Sequence, residues 1–554
     1  MRRRRTASAA ASSEDGAAPG GRLALAAEQE DELGARRKRP PTSLFAIMLV
    51  ALGVGALFIA SYFGAPPVAE VIGRNVAVNT GATNLQDVSA HNSPSIVRNP
   101  VNDANLVIVN RIDNPFYSCA LHVSPDGGAS WSQTPIPKPR GEQPKCYAPD
   151  VAFGADGSLY LTFVTLAGRG NVPNAVWLAR SHDGGLTLSE PVKILGPLAF
   201  QIRVVADPSV PGRLYLTWLQ GKEVALLRFA EPGNPIRFAR SDDGGASWHG
   251  PVRVSSPDRQ RVIAPSPALG PNGELYVFFL DVGDDRLDYD GAHQGQGGPP
   301  YPGYFTLVLA RSLDSGATWS ESVVDASIRP TQRFIVFIPP LPSVAIDRDG
   351  GTIYAAYQDG RAGDADVSVW ASRDGGNSWA RTRVNDTELT DGTSQYLPEV
   401  EVAPNGRVDV LYYDRRADPD DIMNEVSLQS SLDGGRTFGR SLRVSDAAFD
   451  PRIGFGSQRN MTEIGNRLAL LSTETRALAA WTDTRAGTPV SGKQDIVRAM
   501  VSFSERPRLP HVASTVLRYG GVAHVVTGMA LLAMLALSRL RDRRDGKAGG
   551  RATE

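Results

Sequence analysis

The sequence predicts an all-β protein, a seven-bladed β-propeller with six blades as the alternative, flanked by one transmembrane helix at each end. Three observations predict it. One octapeptide recurs six times, and the serines that open its copies lie 57, 60, 71, 60 and 59 residues apart. Each period also carries the same strand-like runs in the same order; in the fifth they read PSVAIDRDG, TIYAAYQDGR, DVSVWASRDGG and SWARTRV. A blade of four antiparallel strands, A to D, cannot bury its own faces, so such units stack around an axis.

The octapeptide is SPDGGASW at Ser124, SHDGGLTL at Ser181, SDDGGASW at Ser241, SLDSGATW at Ser312, SRDGGNSW at Ser372 and SLDGGRTF at Ser431. An alternating run that breaks at Asp-Gly-Gly signals a hairpin. The Asp accepts from backbone N–H groups just ahead, the Ser hydroxyl assists, and the second Gly takes a backbone position with φ > 0. Asp126, Asp183, Asp243, Asp314, Asp374 and Asp433 are therefore read as structural. The pattern resembles the Asp box, S-x-D-x-G-x-x-W, of sialidases and other bacterial-neuraminidase-repeat proteins. Four copies match throughout; two depart at the aromatic, with Leu188 and Phe438. The resemblance covers residues 75–505 and implies a propeller.

Strand sets begin near Pro94, Asp150, Arg203, Pro265, Pro342, Pro398 and Ile464. The last has no octapeptide and no strand D. NVAVNT, Asn75 to Thr80, precedes the first set and is expected to pair as the missing outer strand, closing a ring of seven.

Both ends carry apolar segments. Residues 43–63 and 520–538 are long enough to cross a bilayer. ARRKRPP precedes the first and RLRDRRDGK follows the second. By the positive-inside rule both termini are cytoplasmic and the middle faces outward. The lead, 1–42, is expected to be disordered and 539–554 to form a basic cytoplasmic tail. A net charge of −1 over 554 residues gives no footprint for nucleic acid. The two cysteines, Cys119 and Cys146, fall near one face of neighbouring blades. An outward location permits a disulfide between them, against two free buried thiols.

Chemistry is expected on the face away from the octapeptides, formed by the D–A and B–C connections. The B–C loops there are charged. Asp359/Arg361, Asp414/Arg416 and Asp483/Arg485 repeat a D-x-R spacing, read as pairing that fastens each loop to its neighbour. Asp281, Asp284, Asp285, Asp288 and Asp290 gather in one loop. Ca²⁺ is the one cofactor that this loop suggests, and a solvated acidic loop is the plainer reading. The sialidase resemblance implies arginines for a substrate carboxylate, a Tyr nucleophile assisted by Glu, and an Asp acid/base. The family's opening R-I-P motif is replaced here by SPSIVRNP. Candidates remain in Arg203, Arg333 and Arg459, with Tyr147/Asp150 and Tyr396/Glu399. Two functions compete: a sialidase-like glycosidase of envelope or extracellular glycans, and a non-catalytic module binding glycan or protein through its loop face.

Overall fold

In the computed structural model of the protein the described residues are 42–64, 68–79, 81, 84, 86–222, 232–285, 301–331, 339–454, 463–504 and 511–549. The lead over residues 1–41 lies outside them. The chain divides into two units, Pro67–Glu505 and the two terminal stretches.

The first unit is a seven-bladed propeller of four-stranded antiparallel sheets. The A strands are His91–Asn99, Cys146–Phe153, Ala199–Ala206, Val262–Leu269, Ser343–Ile346, Gln395–Val402 and Ala469–Ser472. Each A strand meets that of the next blade around the axis, and the last meets the first. The seventh sheet runs in the order Ala469–Ser472, Arg476–Asp483, Asp495–Phe503, Ala69–Ala77. Its outer strand is thus supplied by the start of the chain, beginning at Ala69 rather than Asn75. At that seam Val68 and Ser504 exchange hydrogen bonds at 3.0 Å. The core lies between blades, where Trp218, Trp370 and Trp481 are almost wholly buried.

The six octapeptides share one local geometry. In the first, the Ser124 hydroxyl donates to Asp126 Oδ1 at 2.8 Å and accepts the Gly128 N–H at 2.8 Å. Asp126 accepts the Ser130 N–H and hydroxyl at 2.9 and 2.6 Å. The Ser130 hydroxyl foremost, then its N–H, draws Asp126 down to about 2; Thr318 and Ser378 do the same for Asp314 and Asp374. The second glycine has a further role, because a Cβ on it would strike the preceding blade. It would meet Leu178 at 2.1 Å from Gly245 and Phe238 at 2.0 Å from Gly316. These turns therefore clasp each hairpin and seat it on its neighbour.

The D-x-R pairs fasten the opposite face. Arg416 Nε lies 2.6 Å from Asp414, and its Nη1 2.5 Å from Asp386 in the D–A connection ahead of its blade. Arg361 joins Asp359 to Asp325 of the preceding blade, and Arg485 joins Asp483 to Asp446. Cys119 and Cys146 are disulfide-bonded with Cα atoms 5.5 Å apart, joining strand C of the first blade to strand A of the second.

The second unit holds helices α1 (Thr42–Gly64) and α2 (His511–Gly549). Both carry stretches long and apolar enough to cross a membrane, Thr42–Ser61 and Thr515–Arg541. They pack antiparallel through small residues. A Cβ on Gly53 would lie 2.6 Å from the Gly521 carbonyl oxygen, and one on Gly528 2.7 Å from that of Ala46. α2 continues through RLRDRRDGK to Gly549, so the basic stretch after residue 538 is helical to that point.

Candidate functional site

Backbone strain gathers at one level of the propeller. Ser93, Ala148, Gln201, Ala264 and Leu397 all have φ between 48° and 62°, and they occupy one position on five A strands. They are half of the ten non-glycine residues with positive φ among those described. Gly465 takes the place in the seventh blade with φ 90°. At each of the five the pairing of strand A with strand B slips, a β-bulge. Such conformations cost on the order of 1–3 kcal/mol and collect where function requires them.

Two residues beyond the bulge in those five blades, and at the corresponding place in the fifth and seventh, the side chain is polar: Ser95, Asp150, Arg203, Ser266, Ser343, Glu399 and Arg467. The next position on the same side is apolar in six blades and Glu401 in the sixth. A polar ring therefore crowns the axis on the D–A face, above a largely apolar level.

Asp150 is the hub of this ring. It is 2% exposed and lies against two guanidinium groups. Arg203 Nε is 3.1 Å from Oδ2, and Arg467 Nη1 is 3.4 Å from Oδ1. Ser95 donates to Oδ1 at 3.2 Å, and the Val204 N–H to Oδ2 at 3.0 Å. Arg467 also donates to the bulge carbonyls of Ser93 (3.1 Å) and Pro149 (2.6 Å), tying the seventh blade to the first and second. Burial lowers Arg467 to about 10, so it stays cationic at neutral pH.

Glu399 stands in the sixth blade yet feels the charges of Arg203, Arg467 and Asp150. Burial pushes it up to about 7, against Arg203 and the Ser343 hydrogen bond. Glu401 is pushed up to about 8, by burial first and the Glu399 charge second. Both are half-buried.

A second polar cluster adjoins the hub. Arg111, on strand B of the first blade, pairs with Asp113 at 3.0 Å and with Glu463, and donates to the Tyr147 hydroxyl at 2.8 Å. Tyr117 meets Tyr147 edge-on at 5.6 Å. Burial pushes the Tyr147 phenol and the Glu463 carboxyl up.

Of the sequence candidates, Asp150, Arg203 and Glu399 come together in the ring. Tyr396 is fully buried between the sixth and seventh blades, its hydroxyl 3.0 Å from Asn424 Oδ1 and 3.4 Å from Arg415 Nη2. Arg333, Arg459, Asp288 and Asp290 lie outside the described residues. Asp281 pairs with Arg259 at 2.9 Å, while Asp284 is half of the loop's turn and Asp285 is buried. Among the described residues no group of three or more His, Cys, Asp or Glu side chains is placed to hold a metal ion. Sequence reasoning missed Arg467, Ser266, Gln201 and the Arg111–Glu463 pair. Aligning the seventh strand set on Asn466 instead of Ile464 brings Arg467 into register with Arg203 and Glu399.

No known family profile and no curated protein sequence matches the chain. Solved structures do resemble it in fold. A protein of unknown function from Dyadobacter fermentans is 15% identical with a TM-score of 0.43, over 79% of this chain and 99% of the other. A Hadza microbial sialidase is 16% identical with a TM-score of 0.39, over 72% and 74%. A polysaccharide lyase, an ulvan lyase, is 11% identical with a TM-score of 0.44, over 80% and 99%. The sialidase and the lyase, like a Fusarium graminearum arabinofuranosidase also matched in fold, act on glycans.

Proposed function

We propose that the protein is a membrane-anchored, extracytoplasmic propeller that recognises a glycan at the polar ring on its D–A face. One observation carries this reading: Asp150, Arg203, Glu399 and Arg467, from four blades, converge there with serine hydroxyls between them. Sugar hydroxyls both donate and accept. Guanidinium donors, carboxylate acceptors and hydroxyls interleaved around one ring match that chemistry. The charges nearly balance, which suits a hydroxyl-rich ligand better than a dense polyanion.

Hydrolysis is the second reading, favoured by Glu399. A carboxyl held near 7 opposite an Asp–Arg pair is placed to protonate a glycosidic oxygen at neutral pH. The sialidase-type route has less support. Arg203 and Arg467 are both engaged by Asp150, and burial raises the phenols of Tyr147 and Tyr396, which weakens them as nucleophiles. Recognition is therefore the stronger reading.

The helices and their flanking basic clusters support two membrane crossings, with cytoplasmic termini and the propeller outside. Protease protection in right-side-out vesicles tests this: the propeller should be digested from outside. The full chain in nanodiscs, screened on a glycan array and against fluorogenic glycosides, tests the site. Retention of a glycan that Arg203→Ala abolishes supports recognition; turnover lost in Glu399→Gln with binding kept supports hydrolysis. Capture of proteins alone, with no glycan retained, would point to the loop face as a protein-docking surface.

A further inference from the structure

The chain enters and leaves the propeller where a seventh octapeptide would stand. Strand C of each of the first six blades ends on an octapeptide serine, as Ser118–Ser124 and Glu425–Ser431 do. Strand C of the seventh, Asp495–Phe503, is followed instead by Ser504, which pairs with Val68. Both ends of the propeller therefore lie on the octapeptide face, opposite the polar ring. Three residues, 65–67, separate Val68 from Gly64 at the end of α1, and six, 505–510, separate Ser504 from His511 at the start of α2. Even fully extended, the shorter link reaches only about 14 Å. Strand Asp495–Phe503, nine residues long, rises about 27 Å between the two faces. A bilayer that α1 crosses is thus within reach of the octapeptide face or of the seventh blade's rim, and the polar ring cannot be laid on it.

The octapeptide face is also where single apolar side chains stand out. Leu186, Leu313 and Leu432 lie in the octapeptide turns of the second, fourth and sixth blades and are 57%, 66% and 41% exposed. Val101, in the A–B turn of the first blade, is 64% exposed. With the links at the seventh blade, these points are spread around the disc instead of gathering on one side. Several charges among them are paired, Arg213 and Arg240 with Asp242 and Arg98 with Asp103. The octapeptide carboxylates are held by their own turns. Apolar points set among neutralised charges suit a phospholipid surface, where such side chains enter the headgroup boundary.

We infer that the octapeptide face is a lipid-docking surface, with Leu186, Leu313, Leu432 and Val101 seated at the headgroup boundary of a phospholipid bilayer. The disc then lies flat on the outer leaflet, and the polar ring faces away from the membrane. This rests on the reading that α1 and α2 cross the bilayer, and it adds which face of the propeller meets lipid. The tether excludes the ring face, and the apolar turns favour the flat arrangement over one standing on the seventh blade's rim. A ligand of the ring therefore approaches from the outer medium and not from the lipid headgroups.

Single-cysteine labelling of the full chain in phosphatidylcholine nanodiscs tests this, because the native cysteines are bonded to each other. Leu186→Cys, Leu313→Cys, Leu432→Cys, Val490→Cys and Leu52→Cys each carry a bimane, and discs with and without spin-labelled lipid are compared. Val490 is 82% exposed in the seventh blade's B–C loop, on the ring face of the blade that holds the seam, and Leu52 lies within α1. Labels at 186, 313 and 432, seated about 5–10 Å into the headgroup boundary, should be quenched about twofold or more, and the label at 490 hardly at all. Adding Leu313→Glu and Leu432→Glu should restore most of the fluorescence at 186, with thermal unfolding confirming that the variant folds. Unchanged quenching at 186 would mean that the links alone bring the turn to lipid, and the leucines do not dock. Quenching at 52 alone, or at 52 and 490 without the three turns, overturns the docking face and leaves the two crossings standing. Labels at the three turns that are shielded from aqueous iodide yet untouched by the lipid quencher would mean that a second copy covers the face, which also overturns it. No quenching at 52 overturns the crossings, and the docking face with them.

Discussion

Removing the carboxylate of Asp409 should destabilise the propeller through its last blade. The seventh blade has no octapeptide clasp, and an ion pair secures it instead. Arg407, just ahead of strand B of the sixth blade, and Asp409, on that strand, are 1% and 0% exposed and lie 2.9 Å apart. Arg407 donates to the carbonyls of Glu474 (2.7 Å) and Thr473 (2.8 Å) in the seventh blade's A–B turn, and its guanidinium covers the Phe503 ring at 3.5 Å. Asp409 accepts from Ser430 at 2.6 Å and Ser472 at 2.7 Å. Asp409→Ala leaves a buried guanidinium without its counter-charge, which costs about 3–5 kcal/mol. With unfolding entropy near 2.1 cal/mol/K per residue over roughly 440 residues, each kcal/mol lowers Tm by about 1 °C. Scanning calorimetry of the full chain should therefore show a fall of about 3–5 °C. The double variant Arg407→Met, Asp409→Leu removes both charges and should recover most of it. A Tm within 1 °C of wild type for Asp409→Ala would refute the latch.

Four further outcomes follow from the same structure. Breaking the Cys119–Cys146 bond with a Cys119→Ala, Cys146→Ala variant releases a loop spanning 27 residues, and the chain-entropy relation gives about 3–4 kcal/mol, seen as about 4 °C in Tm. Gly245→Ala combines φ of +86° with a Cβ 2.1 Å from Leu178 and should cost about 2–5 kcal/mol. Gly127→Ala, with no atom within 4 Å, should cost only the strain of its φ, about 1–2 kcal/mol. Glu401 has a folded-state pKa raised to about 8. The folded chain therefore holds a proton that the unfolded chain releases above about 4.5, and stability contributed at low pH is lost as pH rises through 8. Glu401→Gln should match wild type near pH 4 and exceed it by about 2 kcal/mol at pH 9 in denaturant titrations, a figure reduced for water reaching the axis.

The fold was legible because its punctuation is local. Asp-Gly-Gly turns with a serine two residues ahead specify their own hydrogen bonds, and their spacing counts blades without any long-range contact. The closing strand was legible by subtraction, since one set lacked a fourth strand and NVAVNT lacked a partner. The polar ring was half legible: Asp150, Arg203 and Glu399 follow a recurring x-P-[DSE] pattern or its equivalent, which also admits a purely structural role. Convergence across the axis is a product of ring closure, and no spacing in the chain encodes it. Tyr396 shows the limit from the other side. It precedes Glu399 by three residues, but the intervening bulge changes the alternation, and its ring is packed against Tyr413 in the core. Gln201 and Ser266 carry no sequence signal, because their position at the ring shows only once every neighbour is in place.

The seam at Val68 and Ser504 also settles how the propeller bears mechanical load. Its first and last residues sit side by side on adjacent antiparallel strands. Tension on both ends in the same direction is shared between them and leaves the seam closed. Tension on the amino-terminal end alone peels the outer strand Ala69–Ala77 away a hydrogen bond at a time, whereas the other end pulls on Asp495–Phe503, which is paired on both sides.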